Sequence, residues 1–328
     1  MEKITMLNTK LILVDGITGS GKSTTAHYIA RQLEMNGISA KWFHEEEFGH
    51  PLHISDYEKK ENEETLDWTA RVIDESVQRW IGFQIKTSNK NTVNIIECFL
   101  FQNLLLNLIT EDIDSSLIKK FAQKVFNTIA LFQPGIIYLN QKNVNEALNL
   151  NNMKREKQWH QWFNESNTNT PFAKNRNLSG DDASTQIWQK LTNLSLELFE
   201  EMKFAKIKIE VSGQQWDVYH RLIANFLDIE YQPEIKINAD FIRFCGTYVL
   251  GEQCLKFHTE NNELFVDTFW PNMKLIEKSE LEFEIEGFPT AFKFIANENG
   301  NITALQISKS TNLMYKHEEG SVLIKISP

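Results

Sequence analysis

The stretch LILVDGITGSGKSTTA, residues 11–26, decides the fold of this chain. Its first four residues are apolar and predict a buried parallel strand, and a helical pattern begins at Thr24. Between them, residues 16–23 fit the spacing G-x-x-x-x-G-K-[ST]. A glycine-rich loop of this kind points its N–H groups inward at phosphate, and the helix after it adds a positive N-terminal dipole. The stretch is therefore predicted to be a P-loop, also called a Walker A motif.

The P-loop assigns nucleotide contacts to single residues. Lys22 is predicted to reach the β- and γ-phosphates, and the Ser23 hydroxyl to hold Mg²⁺. The expected cofactors are therefore ATP and Mg²⁺. The residues predicted to bind the nucleotide are Gly16, Thr18, Gly19, Ser20, Gly21, Lys22, Ser23 and Thr24.

Composition narrows the classes of partner. With 328 residues and 41% hydrophobic content, the chain is long enough for two globular domains. Its net charge of -10 argues against nucleic acid or a membrane surface as partner, because binding to phosphate backbones needs a basic face. The three cysteines form no C-x-x-C pair, which favours reduced thiols and a cytoplasmic location. A small-molecule partner is expected, and a homodimer stays open.

Strands and helices alternate over the first two thirds of the chain. Apolar runs predict strands at residues 11–14, 38–44, 92–96, 136–139 and 206–211, with helical patterns between them. This order predicts an α/β fold, a P-loop three-layer α/β/α domain with a five-stranded parallel sheet, over residues 1–232. Residues 150–180 are predicted to form a lid, and residues 164–177 within it are rich in turn-forming side chains.

The pattern changes near residue 230. Short alternating runs predict strands at residues 241–250, 253–258, 264–269, 281–286, 291–295, 302–308 and 321–326. No helical pattern interrupts them. Residues 236–328 are therefore predicted to form a small antiparallel β domain that is accessory to the first.

Acidic residues follow the first three predicted strands. They are Asp15, the pair Glu45 and Glu46, and Glu97. Ligands of open α/β sheets bind at the carboxyl ends of the strands, so these acids are candidates for catalysis. Glu97 is expected to hold Mg²⁺ through water or to position an acceptor hydroxyl, and Glu45 or Glu46 to accept its proton. In the predicted lid, Arg155 is the candidate for stabilising charge on the transferred group.

Several segments resemble known kinases. DGITGSGKST closely resembles the P-loop of thymidylate kinase and its relatives, and IIECFLFQNLLLNL is similar to the third strand end of thymidylate and deoxynucleoside kinases. HEEEFGHPL, IYLN, the basic segment around KRE and IEVSGQQWDVYHRLIANFL follow the order of those families, so the resemblance covers about residues 8–230. It implies Glu45 or Glu46 as the acceptor-side acid, Glu97 as the third-strand acid and Arg155 as a lid arginine. Cys98 stands where these families carry an arginine that helps bind the acceptor or its phosphate.

These observations favour an ATP-dependent kinase acting on a small-molecule acceptor, which could be a nucleoside, a nucleotide or another hydroxyl compound. Because the arginine is missing, we hypothesise an acceptor other than a nucleoside monophosphate. The alternative is a P-loop ATPase or nucleotide-dependent switch that acts through the β domain. A third reading is a degenerate P-loop that keeps nucleotide as a structural ligand. No N-K-x-D tetrapeptide is present to read guanine, which argues against a GTPase.

Overall fold

The computed structural model describes residues 9–54, 58–87, 91–153, 155, 157–233, 237, 240–311 and 318–327. The chain divides into two units. The first contains residues up to Glu45 and Gly49–Tyr231, and the second contains Glu46–Phe48 and the residues from Gln232 onward. Residue 236, where the sequence predicts the second domain to begin, lies outside the described residues.

The first unit is built on a five-stranded sheet in which all the pairings are parallel. Its strands are β1 (Leu11–Gly16), β2 (Ala40–Phe43), β3 (Val93–Glu97), β4 (Gly135–Asn140) and β5 (Ala205–Glu210), in the spatial order β2-β3-β1-β4-β5. The predicted α/β class and five-stranded parallel sheet are confirmed. The P-loop strand β1 is the central strand, so the loop after it lies in the middle of the carboxyl edge of the sheet.

Helices cover both faces of this sheet. They are α1 (Lys22–Met35), α2 (Thr65–Thr87), α3 (Gln102–Thr110), α4 (Ser115–Ile129), α5 (Val144–Met153), α6 (Lys157–Thr168), α7 (Pro171–Lys174), α8 (Gly180–Glu201) and α9 (Trp216–Leu227). Leu11 and Leu13 of β1 pack into one apolar layer. Ile12 and Val14 pack into the layer on the opposite face. Because both faces are covered, β1 is apolar at every one of these positions rather than alternating.

The predicted turn-rich segment at residues 164–177 is mostly helical. It is occupied by the end of α6 and by α7. Two of its asparagines bond to α8: Asn164 Nδ2 donates to Asp181 Oδ1 at 2.7 Å, and Asn167 Nδ2 donates to Ser184 Oγ at 3.1 Å. Thr170 caps α7 by accepting the Ala173 N–H at 3.3 Å. The expectation of an irregular segment was wrong because these side chains found partners on α8.

The second unit is a closed barrel of antiparallel strands. Its strands are β6 (Gly246–Leu250), β7 (Gln253–Glu260), β8 (Glu263–Asp267), β9 (Met273–Ser279), β10 (Glu282–Ile285), β11 (Thr290–Ala296), β12 (Ile302–Ser310) and β13 (Val322–Ser327). The sequence patterns missed β9, in which Leu275, Ile276 and Glu277 are all buried and hide the alternation. The core is aromatic, with Tyr248 and Phe283 among its fully buried side chains.

The described part of the chain contains no helix that is both long enough and apolar enough to cross a bilayer.

Candidate functional site

The loop between β1 and α1 has the backbone that the P-loop motif requires. Gly19 has φ 75° and Gly21 has φ 88°, values in the left-handed region that favours glycine. Ser20 N–H donates to Ile17 O at 3.2 Å, which closes the turn. Helix α1 then begins at Lys22 with Gly21 as its N-cap residue.

Residues of β4 and α9 pack closely against this loop. A Cβ atom on Gly16 would lie 2.5 Å from the carbonyl oxygen of Leu139, at the end of β4. A Cβ on Gly21 would lie 2.3 Å from Cη2 of Trp216, the first residue of α9. Glycine is therefore required at these positions by the packing as well as by the backbone conformation.

The Lys22 side chain folds back over the loop. Its Nζ donates to the carbonyl oxygen of Ile17 at 2.8 Å, and the residue is 6% exposed. The ammonium group is thus held at the crown of the loop by a neutral carbonyl, a partner that a phosphate oxygen can replace. Thr18, Ser23 and Thr24 are half-buried. The predicted nucleotide-binding residues run from Gly16, the last residue of β1, through the loop to the first turn of α1.

Glu97 is the last residue of β3 and pairs in register with Val14 of β1. It is fully buried, and neither carboxylate oxygen accepts a hydrogen bond of good geometry from the described residues. The Ser23 hydroxyl and the Glu45 backbone N–H still lie close enough to lower its pKa. Burial and then the charge of Glu45 raise the pKa of Glu97 to about 8, although the nearby Ser23 hydroxyl and Lys22 oppose the shift. This carboxyl group lies beside the residue that is predicted to hold Mg²⁺.

The chain after β2 brings one of the two candidate acceptor-side acids toward Glu97. Gln102 Nε2 donates to Glu45 Oε2 at 3.5 Å, which ties Glu45 to the start of α3. Glu46 is half-buried and belongs to the second unit. Glu45 thus lies near Glu97 and the start of α3, and which of the two acids serves the acceptor stays a prediction.

Three histidines lie on the segment that carries Glu45, and the sequence analysis did not single them out. His44 Nε2 lies 3.8 Å from Glu97 Oε1, and burial lowers the pKa of His44 to about 4. The His50 ring stacks on Phe99 with centroids 4.1 Å apart. His53 Nε2 lies 2.7 Å from the carbonyl oxygen of Glu45. The signal was present as HEEEFGHPLH, a run with three histidines directly after the second strand.

His50 presents an unused polar atom to this region. Its Nδ1 accepts the Leu52 N–H at 3.1 Å, so the neutral ring carries its hydrogen on Nε2. That Nε2 is buried and has no hydrogen-bond partner within the described residues. Burial lowers the pKa of His50 to about 3, so the ring is neutral at physiological pH. The Gln102 Oε1 atom is also buried and has no hydrogen-bond partner within the described residues.

Asp15 stabilises the fold through hydrogen bonds to backbone N–H groups. Its carboxylate accepts four backbone N–H groups, those of Gly16 (2.8 Å), Leu100 (3.1 Å), Phe101 (2.8 Å) and Gln102 (3.2 Å). Among the acids that follow the first three strands, Asp15 therefore fixes the turn after β3.

Two further sequence expectations concern cationic groups. The Arg155 guanidinium lies 4.1 Å from the ring centroid of Trp159, which places it between α5 and α6. Its role as a lid arginine stays a prediction. Cys98, which stands in the position of the expected arginine, is buried with φ 66°, and its N–H donates to Val14 O at 3.0 Å. Burial raises the pKa of its thiol, so Cys98 supplies a neutral side chain.

The oxygen atoms of Ser23 and Glu97 fit a magnesium ion. Mg²⁺ prefers oxygen ligands and is usually held by one or two carboxylates together with substrate phosphates. The Glu97 carboxyl lies next to the Ser23 hydroxyl, and neither of its oxygens accepts a hydrogen bond of good geometry in the described chain, so both can turn to a metal or its water. Across those same residues, no group of three or more His, Cys, Asp or Glu side chains is arranged to hold a metal by itself.

No protein-family model matches the chain, and no curated protein sequence matches it. Solved structures do match. A deoxyadenosine kinase from M. mycoides with bound dATP is 13% identical, covers 66% of this chain and 99% of its own, and has a TM-score of 0.37. A thymidylate kinase from Candida albicans is 12% identical, covers 69% of this chain and 96% of its own, and has a TM-score of 0.35.

Proposed function

We propose that this chain is an Mg-ATP-dependent phosphotransferase that moves the γ-phosphoryl group of ATP to a hydroxyl group of a small molecule. The observation that carries the proposal is the buried Glu97 carboxyl group. It lies at the end of the strand beside the P-loop strand, fully buried, next to the Ser23 hydroxyl of the P-loop and Glu45, and neither of its oxygens accepts a hydrogen bond of good geometry from the described residues. Such a group is costly unless a ligand uses it. A structural role alone gives no reason to bury it there.

Each residue of the site then has a task. The N–H groups of residues 19–23 and the Lys22 ammonium bind and orient the triphosphate group of ATP. Ser23 and Glu97 would hold Mg²⁺, which neutralises charge on the phosphates when it is bound. As the acceptor oxygen bonds to the γ-phosphorus, the bond from that phosphorus to the β–γ bridging oxygen breaks and ADP leaves. Glu45 accepts the proton that the acceptor hydroxyl loses.

The side chains around Glu45 favour an uncharged acceptor. Glu45 and Glu97 supply acidic groups, and His44 and His50 are neutral at physiological pH because burial lowers their pKa values. Cys98 is neutral as well. A phosphate on the acceptor would meet the Glu45 carboxylate with no cation contributed by these side chains. A nucleoside or another neutral hydroxyl compound fits better than a nucleoside monophosphate.

The decisive experiment measures ADP formation from Mg-ATP with matched pairs of nucleosides and nucleoside monophosphates, together with a set of neutral metabolite alcohols. Lys22→Ala serves as the control. We expect one neutral acceptor to raise turnover far above the blank without acceptor, and the control to be silent. Hydrolysis that does not depend on any acceptor would instead identify an ATPase or a switch. Preference for the monophosphate of a pair would refute the assignment of an uncharged acceptor.

A further inference from the structure

The last turn of α5 contacts the P-loop through Asn151. A Cβ atom built on Gly19 would lie 3.0 Å from Asn151 Cβ and 3.4 Å from Asn151 Oδ1. Asn151 is 5% exposed. An amide side chain is therefore buried directly against the middle of the loop that binds phosphate.

This amide has an unused donor. Asn151 Nδ2 is buried and has no hydrogen-bond partner in the part of the chain that the structure describes. The amide donors of two other asparagines of this unit are paired: Asn140 Nδ2 donates to Glu210 Oε2 at 2.7 Å, and Asn167 Nδ2 donates to Phe163 O at 2.9 Å. The Ser20 hydroxyl, on the residue after Gly19, is also buried and unpartnered. Buried donors are normally satisfied, so these two unused groups at the loop are available to a bound ligand.

The position of Gly19 in the loop indicates which phosphate of the nucleotide would lie next to Asn151. Lys22 is the residue that reaches the β- and γ-phosphates of a P-loop ligand. Its Nζ is held at the carbonyl of Ile17, two residues before Gly19. The crown of the loop from residue 17 to residue 19 is therefore its terminal-phosphate end, and Asn151 packs on that end.

We propose that the Asn151 amide is a further binding residue that donates a hydrogen bond to the terminal phosphate of the nucleotide. This rests on the proposed function only in that the P-loop must bind ATP. The contact lets α5, the helix that follows β4, distinguish a triphosphate from a diphosphate without a charged side chain. An amide also adds no charge to a site in which Lys22 already supplies a cation.

The test is equilibrium binding of ADP and of an ATP analogue with an imido group between the β- and γ-phosphates. The proteins are the wild type, Asn151→Ala, Asn151→Asp and the control Asn149→Ala, which alters an exposed residue of the same helix. We expect Asn151→Ala to weaken analogue binding about tenfold, with little change for ADP. Asn151→Asp keeps the shape of the side chain but places a carboxylate next to phosphate, so it should weaken analogue binding further. The control should bind both ligands like the wild type.

The outcomes separate the two proposals. If the wild type does not bind the analogue at all, the nucleotide-dependent function fails, and the role of Asn151 fails with it. If the wild type binds but Asn151→Ala binds the analogue equally well, only the inference about Asn151 is refuted. Equal losses for ADP and the analogue in Asn151→Ala, with normal binding by Asn151→Asp, would show that the residue merely fills space. Should Asn151→Ala fail to fold, the Asn151→Asp protein carries the test.

Discussion

The Asp15 carboxylate accepts a hydrogen bond of 2.8 Å from the backbone N–H of Phe101, a residue 86 positions further along the chain. With the N–H groups of Leu100 and Gln102, this contact satisfies donors at the start of α3 that the helix itself leaves open. A side chain at the end of β1 therefore caps the helix that follows β3. The P-loop strand and the turn beside Glu97 are held together by one buried carboxyl group.

Replacing this cap should cost much stability. Asp15→Ala leaves several buried N–H groups without an acceptor, and we expect the free energy of unfolding to fall by about 4 kcal/mol. The matched control is Asp114→Ala, which removes the exposed cap of α4, where Asp114 Oδ1 accepts the Ser116 N–H at 2.8 Å, and should cost about 1 kcal/mol. Urea unfolding followed by tryptophan fluorescence reports on the first unit, because of the eight tryptophans only Trp270 lies beyond residue 231. Equal losses for the two variants would contradict the capping role of Asp15.

Much of the first unit could be predicted because its signals are local. The run from Leu11 to Val14 is apolar throughout, and only a strand covered on both faces allows that. The order of the strands could not be read in this way, since it depends on pairings such as Leu11 with Asn94. Closure of the barrel likewise rests on the pairing of β13 with β6, which no local pattern encodes.

The residues of the candidate site likewise fall into those that a local motif predicts and those that it does not. The glycines and Lys22 follow from a motif, because their chemistry depends on adjacent residues. The proximity of Glu45 to Glu97, the capping role of Asp15 and the packing of Asn151 on Gly19 depend on contacts across long separations in sequence. No local pattern encodes such contacts.

Stability should fall as the pH falls below 6.5, in part because of His50. Burial lowers the folded-state pKa of His50 from 6.5 to about 3, so between these values the unfolded chain takes up a proton that the folded chain does not. The free energy of unfolding then drops by about 1.4 kcal/mol per pH unit for this group. Comparing pH 6.5 with pH 5.0, we expect His50→Asn to lose about 2 kcal/mol less than the wild type. Parallel pH profiles for the two proteins would show that His50 titrates normally when folded.

The packing of Trp216 on the P-loop should make Gly21 unusually sensitive to substitution. Gly37 has a similar left-handed φ of 73°, but a Cβ there meets nothing within 4 Å, so Gly37→Ala isolates the backbone strain of about 1 kcal/mol. Gly21→Ala adds the clash with Trp216 and should cost about 3 kcal/mol. In a double-mutant cycle, the cost of Gly21→Ala should fall toward that of Gly37→Ala when Trp216 is alanine. Additive costs in the cycle would mean that the indole does not constrain the loop.

Glu97 should be a residue whose replacement improves stability and destroys activity. Since burial and the charge of Glu45 raise its pKa to about 8 from 4.5, the folded chain binds a proton that the unfolded chain loses between these values, and stability is lost as the pH rises through this window. Glu97→Gln has no ionisable group there, so we expect a gain of about 2 kcal/mol in the free energy of unfolding at pH 7. The same substitution removes the carboxylate that would hold Mg²⁺, and turnover of Mg-ATP should fall at least 100-fold. Glu61→Gln, which alters an exposed acid before α2, should change neither quantity. If Glu97→Gln is stabilised yet keeps its turnover, the buried carboxyl group is not part of the catalytic site, and the acid that serves the nucleotide must be sought elsewhere.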